Sequence, residues 1–192
     1  MASPTSSEPP RASPSEEPVD PGTLPQTRAV PSDQTPEFRA RMDALWSGIV
    51  ADSARAAMPA FFPLSAYVQV KAIGDPAGDY RDRLVAAFRQ DIHAAHELLG
   101  PDASTDRFLR LSVPKQWAWI PPGGCYNDIG YWHAHGSRLI YEEAGQVRSF
   151  GVFSLISWRG EWYVVHLSSY DHPGTVDSPS AGRGAYGPPG GC

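Results

Sequence analysis

His133 and His135 stand two residues apart, directly after the segment Pro121-Pro122-Gly123-Gly124-Cys125-Tyr126-Asn127-Asp128-Ile129-Gly130-Tyr131-Trp132. On a β-strand that spacing points both imidazoles to one face. A third imidazole, His166, lies in the last apolar run, and Glu142 and Glu143 follow the pair in sequence. Two histidines on one strand face, joined by a histidine and a carboxylate from neighbours, would supply the donors of a divalent metal site. A metal needs three or four ligands, so the expectation is no metal and no cofactor, with His133, His135 and His166 as the weaker, metal-binding alternative. Cys125 carries a second chemistry, a thiolate nucleophile with His133 or His135 as base and Asp128 or Asn127 as orienting partner. No cysteine-hydrolase signature surrounds it, and nothing places it at a helix N-terminus that would lower its pKa. A histidine alternating with Trp162 and Val164 is more often a hydrogen-bonded core imidazole than a catalyst. The candidate pocket residues are therefore Cys125, Tyr126, Asp128, Tyr131, His133, His135 and His166, with no catalytic residue assigned.

Four turn-formers in a row, Pro121-Pro122-Gly123-Gly124, make a loop whose backbone can approach a ligand closely, and loops on a rigid sheet are where function concentrates. The two cysteines, Cys125 and Cys192, are an even count compatible with one bridge in an oxidising compartment; two unpaired thiols are the competing state. His93 and His96 sit three apart on a helix surface and are read as solvated. Trp117, Trp119, Tyr126, Tyr131, Trp132, Trp158, Trp162 and Tyr163 could stack on a sugar or aromatic ligand, but such sets more often pack a core and sheet. Lys115, Arg138 and Arg148 are single charges without an assigned role.

The elements that must position these residues change character along the chain. Thr35-Pro36-Glu37 is a helix start, with a Thr N-cap, Pro where a missing N–H costs nothing, and an acid at the positive end of the dipole. Phe38, Met42, Leu45, Trp46, Ile49 and Val50 then recur on one stripe, predicting a helix that runs to about Met58, where Pro59 stops it. Residues 64–73 suit either a strand or a short helix. Asp79 is expected to cap a second long helix lined by Leu84, Phe88, Ile92, Ala95 and Leu99, ended by Gly100-Pro101. After it the period becomes two: residues 108–113, 117–120, 131–135, 138–141, 147–158 and 161–167 read as strands, with tight connections at Gly145 and Gly160. Helices followed by consecutive hairpins give an α+β fold, a curved antiparallel sheet packed on N-terminal helices.

All six tryptophans and all seven phenylalanines fall in residues 35–170 of the 192, a size that supports one self-sufficient core. Residues 1–34 are a Pro/Ser-rich spacer expected to be disordered, and residues 171–192 a Gly/Pro-rich flexible tail. The formal charge of −5, without a run of Lys and Arg, argues against nucleic acid and anionic lipid. No stretch reaches transmembrane length. No secretory signal follows Met1, which taken literally means cytoplasm. A Ser/Thr/Pro-rich spacer ahead of a compact domain is also what remains after a signal peptide is removed, so an extracellular or cell-envelope location is expected.

The order of elements, closing on Arg159-Gly160-Glu161-Trp162-Tyr163-Val164-Val165, resembles the nuclear transport factor 2-like fold, shared with polyketide cyclase-like proteins, over about residues 36–168. That resemblance implies a cone with a pocket between sheet and helices, used in some members for acid/base catalysis and in others for binding or dimerisation; the acid/base use implied for this chain would take a pocket histidine with an acid, His166 with Asp128. Phe62-Pro63-Leu64 through Lys71, Gly130-Tyr131-Trp132-His133 and Ser157-Trp158-Arg159-Gly160 are similar to uncharacterised exported proteins of high-GC Gram-positive bacteria. The His pair looks like that of a cupin, but six residues intervene before Glu142 and the helix order does not fit.

Two functional classes stay open. The favoured one is a non-catalytic binding or interaction domain on a Pro-rich spacer, taking a small molecule, a cell-envelope component or a protein partner, with a homodimer among the options. The alternative is a small enzyme using a His-based acid/base or metal site in the same pocket.

Overall fold

In the computed structural model, which describes residues 19–176, helices come first and an antiparallel sheet follows. Helix α1 (Pro36–Val50) starts as its sequence demands: the Thr35 hydroxyl accepts from the Phe38 N–H at 3.0 Å, and Phe38, Met42, Leu45, Trp46 and Ile49 are buried. It does not run to Met58. Asp52 turns left-handed (φ 46°), and Ser53 caps a separate short helix, α2 (Ala54–Ala57). Gly48 makes that reversal fit, since a Cβ there would lie 2.5 Å from the Ala57 Cβ.

Residues 64–73 resolve as helix α3 (Leu64–Val70), with Ala66, Tyr67 and Val70 turned inward. The next helix is capped by Asp75, whose carboxylate accepts from the Gly78 N–H at 2.8 Å, rather than by Asp79. It begins as α4 (Pro76–Asp79), passes through one π-helical turn over Tyr80–Leu84 and continues as α5 (Val85–Leu99). A wide turn of this kind adds a residue to the helix and rotates the facing of every later side chain, a feature often found at functional sites.

The five strands are β1 (Arg107–Ser112), β2 (Trp117–Ile120), β3 (Tyr131–Glu143), β4 (Gln146–Trp158) and β5 (Glu161–His166). They form one curled antiparallel half-barrel in the order β1-β3-β4-β5, with β2 also paired to β3 and the helices packed on it. The two runs 131–135 and 138–141 are one continuous strand. Gly136 (φ 72°) marks the place where the edge partner of β3 changes from β2 to β1. Both long hairpins turn through two residues of positive φ, Ala144-Gly145 and Arg159-Gly160, the turn whose twist matches paired strands.

Residues 19–34, expected as part of a free spacer, lie against the domain. Pro21 O accepts from the Trp158 indole at 2.8 Å, and the Gln26 amide bridges the β4–β5 turn, donating to Ser157 O at 3.0 Å and accepting from Arg159 N at 2.6 Å. At the other end, Gly174 N donates to the buried Asp91 carboxylate at 2.8 Å. Residues 1–18 and 177–192 lie outside the described residues, and with them the rest of both expected tails. No helix among the described residues is long and apolar enough to cross a membrane.

Candidate functional site

Between α3, the π-helical turn and the concave face of the sheet lies a cavity of about 290 Å³. Its floor is apolar, made by Val70, Leu84, Ile156 and Val165. Tyr67, Tyr131, Ser154, His166 and Tyr170 supply polar atoms, Lys71 and Arg83 supply positive charge, and Cys125 and Tyr126 stand at its edge. The Gly/Cys segment is thus part of the hollow's wall, held there by α3. Asp128 N donates to Val70 O at 2.8 Å, Ala72 N to Tyr126 O at 2.9 Å, and the Lys71 ammonium to Cys125 O at 2.9 Å. Within the loop, Gly123, Cys125 and Tyr126 all take positive φ (84°, 53° and 56°), and two of these carry side chains that rarely adopt it. The Tyr126 ring is 79% exposed beside the opening.

His166 reaches the cavity through an irregularity. Ser154 pairs with His166 while Leu155 pairs with Val164, so Val165 is an extra residue on β5. Strict alternation would leave His166 on the face of Trp162 and Val164, as expected from sequence; the bulge moves it to the cavity face instead. There it is 3% exposed, edge-on to the Tyr170 ring at 4.7 Å, and neither ring nitrogen has a hydrogen-bond partner among the described residues. Burial pushes its pKa down to about 4 against the opposing pull of the Asp91 charge, so the imidazole is neutral at physiological pH.

His133 and His135 pair with Ile156 and Ser154, which places them on the same concave face, one layer back from the cavity. Their rings are 3.9 Å apart at the centroids. His133 Nε2 lies 2.7 Å from Ser154 Oγ, which also accepts from the Tyr170 hydroxyl at 3.5 Å. With Tyr170 donating, the Ser154 proton is left for His133 Nε2. Tyr131 accepts from the Asn127 amide at 3.2 Å, and burial pushes its phenol up to about 12.

Other expected partners are elsewhere. Asp128 is exposed and does not line the cavity, so the His166–Asp128 pair does not form; the carboxylate acting on His166 is Asp91. Asp91 in turn accepts from Leu167 N at 2.9 Å, Ser168 N at 3.2 Å and the Ser168 hydroxyl, pinning α5 to the end of the sheet. Glu142 and Glu143 sit at the far end of β3, bound by Arg107 at 2.8 Å and Arg148 at 3.1 Å. No three His, Cys, Asp or Glu side chains among the described residues are grouped as a metal site requires. The Cys125–Cys192 bridge depends on a residue outside the described ones. His93 and His96 serve the α1–α5 contact, facing Asp52 and Ile49 O at 3.0 Å each.

The sequence pattern missed Lys71, Arg83, Tyr67, Ser154 and Tyr170. Arg83 donates to both oxygens of Asp79, at 2.8 and 2.6 Å, and to Tyr67 OH at 2.9 Å, while Tyr67 donates to Asp79. Arg83 holds the Asp79 carboxyl below its usual range, while burial, with the Asp79 contact, raises the Tyr67 phenol. Tyr67 and Val70 fall three apart on α3 and Lys71 caps its end, a signal visible once residues 64–70 are known to be helical.

Compared with known proteins, the chain matches no family model, no curated protein and no solved structure.

Proposed function

We propose that the chain is a nuclear transport factor 2-like domain that binds a small molecule in the cavity between its sheet and helices, without catalysing a reaction. The likeness is supported by the order of elements and by a curled sheet with helices laid over its hollow side. One observation carries the binding: His166 presents two ring nitrogens, unpartnered among the described residues, on the wall of a cavity of about 290 Å³. An unpaired buried polar group costs about 1–3 kcal/mol, and a ligand's donor and acceptor remove that cost.

The same geometry weighs against the enzyme alternative. A His-based catalyst needs a second titratable group within hydrogen-bond reach. None reaches either nitrogen of His166 among the described residues, and an imidazole pushed down to about 4 is a weak base. A fragment screen by ligand-observed NMR tests the binding, run on the unaltered chain and on Val165→Phe, which fills the floor. Fragments that compete for one site and are lost in Val165→Phe are expected; fragments indifferent to that substitution would overturn it. An exported location goes with this proposal through the Cys125–Cys192 bridge, and a mass two hydrogens lower before reduction than after would support both.

A further inference from the structure

Among the described residues the cavity lining contains two cationic side chains, Lys71 and Arg83, and no aspartate or glutamate, in a chain whose formal charge is −5. Arg83 is matched by Asp79, which it grips with two nitrogens. Lys71 is not matched in this way. No ion pair among the described residues includes it, and its ammonium donates to the neutral Cys125 carbonyl at 2.9 Å. Burial, and then the nearby Arg83 charge, hold its pKa below the usual lysine value against the weaker opposing pull of Asp79. The charges that act on Lys71 are Arg83 and Asp79, and these three together carry one positive charge in excess; the Asp91 charge acts on the neutral His166 instead.

Resting on the binding proposed above, we infer that the cavity selects small organic monoanions, a carboxylate at the rim against Lys71 and an apolar body on Val70, Leu84, Ile156 and Val165. The volume sits at the lower end of ligand cavities, which fits a body of one ring or a short alkyl chain. The buried end of such a ligand meets His166, Ser154 and Tyr170, where the neutral His166 ring alone offers one donor and one acceptor. A dianion would leave a charge uncompensated in a desolvated site, and a cation would face Lys71 and Arg83 directly.

Two matched pairs separate charge from shape: phenylacetate against phenylacetamide, and hexanoate against hexanamide, titrated by NMR into the purified full chain. The carboxylate of each pair is expected to bind at least about tenfold more tightly than its amide, a charge-assisted contact against a neutral one. Lys71→Met brings the two within about threefold, and Lys71→Arg, which keeps the charge, retains the preference. Amides that bind as well as carboxylates would overturn the charge selection and leave the pocket intact. No perturbation by any of the four, with the fragment screen also blank, would overturn the pocket as well; a positive screen with four blanks removes the monoanion class alone.

Discussion

His166 faces Ser154 across the last two strands only because Val165 has no partner of its own. That one-residue excess near the end of β5 exchanges the faces of everything after it. The chain thereby gives up a regular ladder and gains a neutral imidazole in a hollow, beside a serine that already joins Tyr170 to His133.

Acid should destabilise the fold through His166. Its folded pKa of about 4 lies below the ordinary 6.5, so as pH falls the unfolded chain takes up this proton first. Stability from this group is complete above about pH 6.5, declines between about 6.5 and 4, and levels off below, a total on the order of 3 kcal/mol. Asp79, also depressed, loses its contribution at lower pH, below its ordinary 3.8, and separates from this window. Urea unfolding at pH 7 and pH 4.5 should show a smaller difference in His166→Phe than in the unaltered chain.

Asp91 should be the costliest single polar residue to remove. Its carboxylate holds Leu167 N, Ser168 N, the Ser168 hydroxyl and Gly174 N in the interior. Asp91→Ala orphans three backbone donors and should destabilise by about 3–5 kcal/mol. Hydrogen exchange at those three amides, which lie beyond the end of β5, should accelerate ahead of the amides of β5 itself.

Gly48→Ala sets two effects against each other. Alanine gains roughly 1 kcal/mol of helix propensity over glycine. The new Cβ would lie 2.5 Å from the Ala57 Cβ and 2.6 Å from its backbone N, so α2 must move. Overpacking of that kind costs about 1–3 kcal/mol, and a net loss in chemical denaturation is expected. A stabilised Gly48→Ala would show that the turn between α1 and α2 yields easily.

The docked residues 19–34 should contribute to stability although their composition is that of a spacer. A chain beginning at residue 35 loses the Trp158–Pro21 bond and the Gln26 bridge, and its melting temperature should fall below that of a chain beginning at residue 19. Gln26→Ala alone should cost about 1–2 kcal/mol, since it strands Arg159 N and Ser157 O.

Much of the fold was legible because its signals are local. Thr35-Pro36-Glu37 sets the start of α1, and Gly145 and Gly160 set both long hairpins, because caps and two-residue turns depend on a few adjacent residues. Of the site, Cys125, Tyr126, Tyr131 and His166 were named from composition and spacing and do line the cavity. The illegible part depends on breaks in period. The bulge at Val165 and the π-helical turn at Tyr80–Leu84 each shift the facing of later residues, so His166 and Arg83 point where a strict repeat would not send them. Asp128 lies three residues from Cys125 in sequence but outside the cavity, whereas Asp91 comes from a helix 75 residues from His166 and leaves no local trace. The affinity of residues 19–34 for the sheet resides in backbone carbonyls and one glutamine, which composition does not weigh.

The most direct measurement is the ring of His166 itself, followed by NMR in protein carrying labelled histidine at pH 7 while phenylacetate is added. The expected result is a neutral imidazole in the free protein, both of whose nitrogens shift saturably, with no such shift in Val165→Phe. A His166 ring that is protonated at pH 7, or that stays unmoved while the protein binds the carboxylate, would contradict a cavity built around a neutral buried histidine.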